Sequence, residues 1–370
     1  MEAHDDGGRS AMRAIAVAAI ALAGFVFSLL PVAERLDASL LDSEWRVLRR
    51  FDSRPVPDDI VIVGIDEATV RSIAEPPGIW HATLGHALAR IASAKPRAIG
   101  LEFPLPERSY DAVKPGLDRA LFEGLAAAVD NGAFVAVLSI DTRTRAAKTV
   151  HMPFLALLGE SRLGIDLTAR DADGVARRFS LLVPTEDGGF PTLEGRLCRA
   201  MKRSCSDGLI HYSLGAPFTY VPLKSVLAAS DPSQLERLFR DRIVLIGEVQ
   251  PFADRIDVPL NLAAWEGEAR NSPGIVVHAQ TLRTALARAA PQQVSRPAIV
   301  LLVSLAALVF LMRDMRYATL VALLLAVGLA TLAFAALRGG TFLPITPVLL
   351  TLAVALVARG VAAVRKAGKS

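Results

Sequence analysis

The 370-residue chain has only two cysteines, Cys198 and Cys205, and an aromatic content of 6%. No CxxC pair or His-rich spacing accompanies the cysteines, which argues against a structural zinc centre. In a continuous helix, residues seven apart lie ~10 Å from each other, too far for a disulfide. A bridge closes only if the helix ends before Cys205, which the turn signal Ser206-Asp207-Gly208 permits, so the bridged and free states both stay open. There is no Gly-x-Ser-x-Gly elbow, phosphate loop, Gly-x-Gly-x-x-Gly fingerprint or His-Glu-x-x-His helix. No catalytic residue, enzymatic activity or cofactor is therefore expected. The net charge of +4 comes from basic residues that are scattered or sit beside apolar runs. They form no stripe interleaved with aromatics, so nucleic acid is not an expected partner.

Charge is also missing from four stretches of a chain that is 52% hydrophobic yet 21% charged. Such segregation points to membrane segments beside a soluble domain. Ala14 to Ala33 is free of charge and spans ~30 Å as a helix, the thickness of a bilayer core. It reads as an uncleaved anchor, because a signal-peptide apolar region covers only ~7–15 residues. Three further runs follow: Ala298 to Met312, Tyr317 to Leu337 and Thr341 to Ala358, the first of them short. Pro344 and Pro347 are expected to kink the last helix. The expected organisation is a cytoplasmic tail (1–13), an anchor (14–33), an extracytoplasmic domain (34–297), three membrane helices (298–358) and a basic tail (359–370).

The short turn Arg313–Arg316 and the basic tail must share a side, and positive-inside logic puts both in the cytoplasm. The expected place is thus the bacterial cytoplasmic membrane, multi-pass, with the large domain outside. No Asp, Glu, Lys, Arg or His lies within the four runs, which argues against an ion or proton path and so against a transporter or channel.

Within 34–297, Ile60-Val-Ile-Val-Gly-Ile65 reads as a strand buried on both faces. A helix over Trp80 to Ala94, a strand at Ala98–Leu101, a helix at Leu117–Val129 and a strand at Ala133–Leu138 follow. This alternation predicts an α/β fold with a largely parallel sheet flanked by helices. Gly174 to Val183 reads as extended, Pro191 to Lys202 as helical, Arg242–Ile246 as another strand, and Gly274 to Ala290 as a helix.

Several segments in order resemble a known family. They are Ile60-Val-Ile-Val-Gly-Ile-Asp-Glu-Ala-Thr-Val70, Ala98-Ile-Gly-Leu-Glu-Phe-Pro104 and Asp171-Ala-Asp-Gly-Val-Ala-Arg-Arg-Phe179. Phe190-Pro-Thr-Leu193, Arg242-Ile-Val-Leu-Ile-Gly247 and Ser272-Pro-Gly-Ile-Val-Val-His-Ala-Gln280 complete the set. Over roughly residues 40 to 290 the chain resembles the second type of extracellular sensory domain of bacterial cyclases and histidine kinases, the CHASE type-2 domain. The resemblance implies a sensor normally coupled to a cytoplasmic output domain. Only 12 residues follow Ala358, so the expectation is a sensor or scaffold that signals through a separate membrane or cytoplasmic regulatory protein, with a homo-oligomer left open. The alternative is a periplasmic carboxylate-based enzyme.

In open α/β sheets, ligands sit outside the carboxyl ends of the strands. Those ends carry Asp66, Glu67, Glu102, Asp141 and Glu248, which would converge on one edge and bind a cation or a basic ligand. The competing reading is that they cap helices or pair with Arg71, Arg97, Arg143 or Arg242. Glu102 stands where the family commonly has Asp. His278, near the start of the last domain helix, joins these as a candidate ligand-binding residue.

Overall fold

A computed structural model describes residues 3–57, 59–140, 148–185, 188–267 and 269–367. The chain forms two compact units, Trp45–Ala290 and the combination of Met1–Glu44 with Pro291–Ser370.

The larger unit is built on six strands: β1 (Ile60–Ile65), β2 (Ala98–Leu101), β3 (Ala133–Leu138), β4 (Leu163–Ile165), β5 (Tyr220–Pro222) and β6 (Ile243–Glu248). Their spatial order is β4-β3-β2-β6-β1-β5, and every pairing is parallel. All six carboxyl ends therefore open on one edge. The four central strands are β-branched and apolar, and nearly every residue in them is buried, as helix cover on both faces requires. One face packs Ile99, Phe134 and Val244 against Leu84, Leu88, Ile91, Leu121 and Leu125. These come from the helices His81–Ser93 and Leu117–Asp130, and each fully buried aliphatic side chain contributes about 1.5–3 kcal/mol. Gly100 points the opposite way, towards Leu193 and Leu197. On that second face lie the helices Leu193–Ala200 and Gly274–Leu286.

The expected α/β architecture is thus present, with two strands that sequence periodicity missed. β4 and β5 are three-residue edge strands, Leu-Gly-Ile and Tyr-Val-Pro, too short to show a period. The extended reading of 174–183 resolves into two short strands, Arg178–Phe179 and Leu182–Thr185, each in a separate two-stranded ribbon. The helix carrying Cys198 ends at Ala200, and Lys202 adopts a left-handed φ of 54°. That reversal brings Cys198 and Cys205 to a Cα separation of 6.3 Å, and the two are joined by a disulfide.

Among the described residues, the second unit holds three helices long and apolar enough to cross a membrane: Ser10–Ser28, Met315–Arg338 and Thr346–Arg365. Leu320, Leu323, Leu324 and Leu332 point outward from the second of these, as a lipid-facing surface would. Three points differ in detail from the sequence reading. The first apolar helix ends at Ser28 and a new, polar helix starts at Pro31, so the span does not run to Ala33. Of the three C-terminal runs only two reach spanning length; Arg296–Leu311 is a shorter apolar helix that finishes in a 3-10 turn. The last helix begins at Thr346, leaving Pro344 outside it and Pro347 in its first turn, where a missing N–H costs nothing; neither kinks it. Residues 34–44 also group with the apolar helices and not with the sheet.

Candidate functional site

The parallel sheet sends its carboxyl-terminal residues to one edge, but they divide into separate environments. Asp66 caps the helix Glu67–Ser72: its Oδ1 accepts the Thr69 N–H at 2.7 Å and its Oδ2 accepts the Tyr220 hydroxyl at 3.2 Å. Burial pushes this carboxyl up, but the Thr69 and Tyr220 hydrogen bonds and nearby Lys224 outweigh burial and hold it below its ordinary value. Glu67 is exposed and pairs with Arg71 at 3.2 Å, an arrangement worth ~0.5 kcal/mol. Asp66 and Glu67 border a cavity of about 580 Å³ with Tyr220 and Trp265. Asp141 lies outside the described residues. Glu248 is half-buried at the end of β6, and burial, then the charge of Asp254, raises its carboxyl.

Glu102 and His278 meet. Glu102 follows β2; His278 lies in the second turn of the helix Gly274–Leu286, which is seated on the sheet face next to β6. His278 Nε2 is 3.3 Å from Glu102 Oε1 and 3.0 Å from Asp166 Oδ1, the residue that follows β4. On the other side of the ring, Nδ1 is 2.6 Å from Glu194 Oε1. Thr192 places that glutamate by accepting the Gly195 N–H at 3.2 Å, which starts the helix Leu193–Ala200. His278, Glu194 and Glu102 are buried, and the Asp166 side chain is 36% exposed. Asp166 is the member that faces solvent.

Two glycines make the room. A Cβ on Gly247 would collide with Glu102 Oε2 and lie 2.9 Å from Ile275 Cβ. A Cβ on Gly274 would collide with Asp254 Oδ2 and lie 3.2 Å from Glu102 Oε1. Asp254 thus borders the same space from a loop.

Electrostatics follow from crowding acids around one base. Burial alone would lower His278, but Glu194, Asp166 and Glu102 outweigh it and raise the imidazole well above its ordinary value. Burial, together with Asp166, Asp254 and Glu194, raises Glu102, only partly offset by His278. Asp166 is pushed up by burial but held below its ordinary value by His278. Nε2 carries at most one proton, and Asp166 takes it at the shorter distance. Glu102 Oε1 sits at ion-pair distance from the ring, yet it is buried without a hydrogen-bond partner. Glu102, Asp166 and His278 also present one ligand atom each within 4.8 Å of one another. The site can therefore bind a proton or a cation.

Of the sequence candidates, Glu102 and His278 come together, and they are joined by Asp166, Glu194 and Asp254, which were not among those candidates. Asp166 carried the strand-end signature of Leu163-Gly-Ile165-Asp, hidden by the shortness of β4. Glu194 directly follows the Phe190-Pro-Thr-Leu193 segment. Asp254 had no signal, because only the folded loop brings it to the edge. A separate cavity of about 580 Å³ opens beyond β2 and β3, lined in part by Trp80, His81, Phe103, Tyr110 and Lys148; it does not include His278.

The CHASE2 domain family model matches residues 15–328. No curated protein and no solved structure matches the chain. The match spans most of the chain, which belongs to the CHASE2 domain family, a family of sensory domains.

Proposed function

We propose that this CHASE2-domain chain is a membrane-anchored sensor or scaffold whose large domain lies outside the bacterial cytoplasmic membrane and whose signal passes to a separate partner protein. The observation that carries the reading is the family match over 15–328, a range that takes in the sheet domain and apolar helices before and after it. Three helices of spanning length support the anchoring. The crowded acid–histidine cluster at the carboxyl edge supports stimulus binding there, since its buried charges respond to any cation or proton that arrives. In this reading Arg296–Leu311 also crosses the bilayer, with Arg296 and Arg313 reaching the headgroups, so that both termini are cytoplasmic.

Reporter fusions after Ser53 and after Ser370 test the topology. The first is expected to be active only in the periplasm and the second only in the cytoplasm; a periplasmically active carboxyl-terminal fusion refutes the arrangement. Affinity purification from membranes tests the signalling step. It is expected to recover a regulatory protein whose association changes on Glu102→Gln. Recovery of a partner whose binding is indifferent to the cluster removes the sensor reading.

A further inference from the structure

We propose that Glu102, Asp166 and His278 are the inner ligands of a divalent transition-metal site of the Zn2+ type, with Glu194 fixing the imidazole from behind. The proposal rests on the sensor reading only for its consequence, that the stimulus is a metal ion; the site itself rests on geometry.

The donor set comes from three elements that the parallel sheet brings to one place. Nε2 lies 3.0 Å from Asp166 Oδ1 and 3.3 Å from Glu102 Oε1. Four-coordinate Zn2+ holds N and O ligands at about 2.0–2.2 Å, which puts neighbouring donor atoms about 3.4 Å apart at a tetrahedral angle. The two separations from Nε2 are within a few tenths of that edge, and all three donor atoms lie within 4.8 Å of one another. Ligating histidines commonly give their other ring N–H to a carboxylate, which fixes the tautomer and makes the ligating nitrogen more basic. Glu194, 2.6 Å from Nδ1, occupies that position and turns Nε2 towards the acids.

The second, independent observation is Glu102 Oε1. Its side chain is 5% exposed, and this oxygen has no hydrogen-bond partner although it is aimed at the shared space. Burying a carboxyl oxygen without a hydrogen bond is unfavourable, and a cation between it, Asp166 and Nε2 would satisfy it. Among the described residues no lysine or arginine makes an ion pair with Glu102, Asp166 or Glu194. Three carboxylates therefore face one imidazole, which carries at most a single positive charge.

The partly exposed Asp166 gives an entry path. Asp254, across the Gly274 gap from Glu102, is placed to supply a fourth donor or to hold a water in that position. An imidazole among the donors favours first-row transition cations over Mg2+ and Ca2+, which take oxygen ligands.

The test uses the full chain, purified in detergent and stripped with a chelator, then titrated calorimetrically with Zn2+, Mn2+ and Mg2+. One Zn2+ per chain is expected, Mn2+ binding more weakly and Mg2+ not competing. Asp166→Asn and Glu102→Gln are each expected to weaken Zn2+ by 100-fold or more, and Glu194→Gln by ~10–100-fold. Glu67→Gln, exposed and remote from the cluster, is expected to bind as the parent does. X-ray absorption at the zinc edge is expected to show a nitrogen and oxygen shell with one imidazole. Tryptophan fluorescence checks folding, and Asp166→Asn, at the partly exposed position, keeps the test decisive if Glu102→Gln fails to fold. Folded variants that keep parental Zn2+ affinity overturn the proposal, as does a parent chain that binds none. A chain that binds no Zn2+ but still changes its partner association on Glu102→Gln refutes the metal and leaves the sensor. One that binds Zn2+ with no such change refutes the sensor and leaves the metal.

Discussion

His211 should make the sheet domain lose stability in mild acid, and the structure sets the size of the effect. The residue is 1% exposed, with its ring 4.8 Å from that of Trp45. Its Nδ1 is 3.3 Å from Ser213 Oγ, while Nε2 is buried without a hydrogen-bond partner. The neighbouring charged groups are cationic: Arg54 beside it, and Arg49, which donates to the carbonyls of Tyr212 and Gly215. From the helix Gly274–Leu286 the polar contacts are neutral, Thr284 Oγ1 accepting the His211 N–H and Gln280 Nε2 donating to its carbonyl. Burial, reinforced by Arg54, lowers the imidazole from 6.5 to about 4. The unfolded chain therefore binds a proton near pH 6.5 that the native state refuses until about pH 4. Stability is complete above pH 6.5, falls as pH drops through the window from 6.5 to about 4, and levels off below it. At 1.36 kcal/mol per pH unit the full loss is about 3 kcal/mol, of which about 2 kcal/mol is lost by pH 5. The assay is unfolding of the detergent-solubilised chain at pH 7.5 and pH 5.0, followed by tryptophan fluorescence, for the parent and for His211→Phe. The variant keeps a ring against Trp45 and cannot titrate, and the His278 cluster titrates in both proteins and cancels. The parent should lose about 2 kcal/mol more than the variant, or ~4–8 °C in Tm. Equal losses in the two proteins would refute the reasoning.

Two further perturbations test the scaffold. The helices His81–Ser93 and Leu117–Asp130 touch backbone to backbone at Gly85 and Gly124, where an added Cβ collides with main-chain atoms of the other helix. Gly124→Ala should cost about 3 kcal/mol of overpacking against about 1 kcal/mol of helix propensity gained; a net loss near 2 kcal/mol is expected in denaturant unfolding, and an unchanged midpoint would exclude the close contact. Reducing the Cys198–Cys205 bridge, which closes a loop of roughly eight residues, should cost about 2.5 kcal/mol by chain entropy. Thiol-reagent labelling of the unreduced chain should find both sulfurs blocked, and two free thiols would remove the bridge from the fold.

The sequence by itself determined the layers and the segregation of the chain. Continuous β-branched runs such as Ile60–Ile65 can only be satisfied by a sheet covered on both faces, and uncharged runs as long as Tyr317–Leu337 exceed what a small soluble core can bury. It also placed Glu102 among the candidates, because strand ends are legible wherever a strand is long enough to show its period, and His278, near the start of the last domain helix. The tertiary structure decided which of the edge carboxylates act together. Asp66 and Glu102 look alike in sequence, each ending a buried strand, yet one caps its own helix while the other is left buried and aimed at an imidazole. Asp166, Glu194 and Asp254 join that imidazole from an edge strand, a helix on the second face and a loop, up to 112 positions away in the chain. No local pattern encodes such a meeting, because it is set by strand order, β4-β3-β2-β6, and by two glycines that let the acids approach. Strand order follows from crossover packing of the whole domain, and so do the charges that the cluster concentrates.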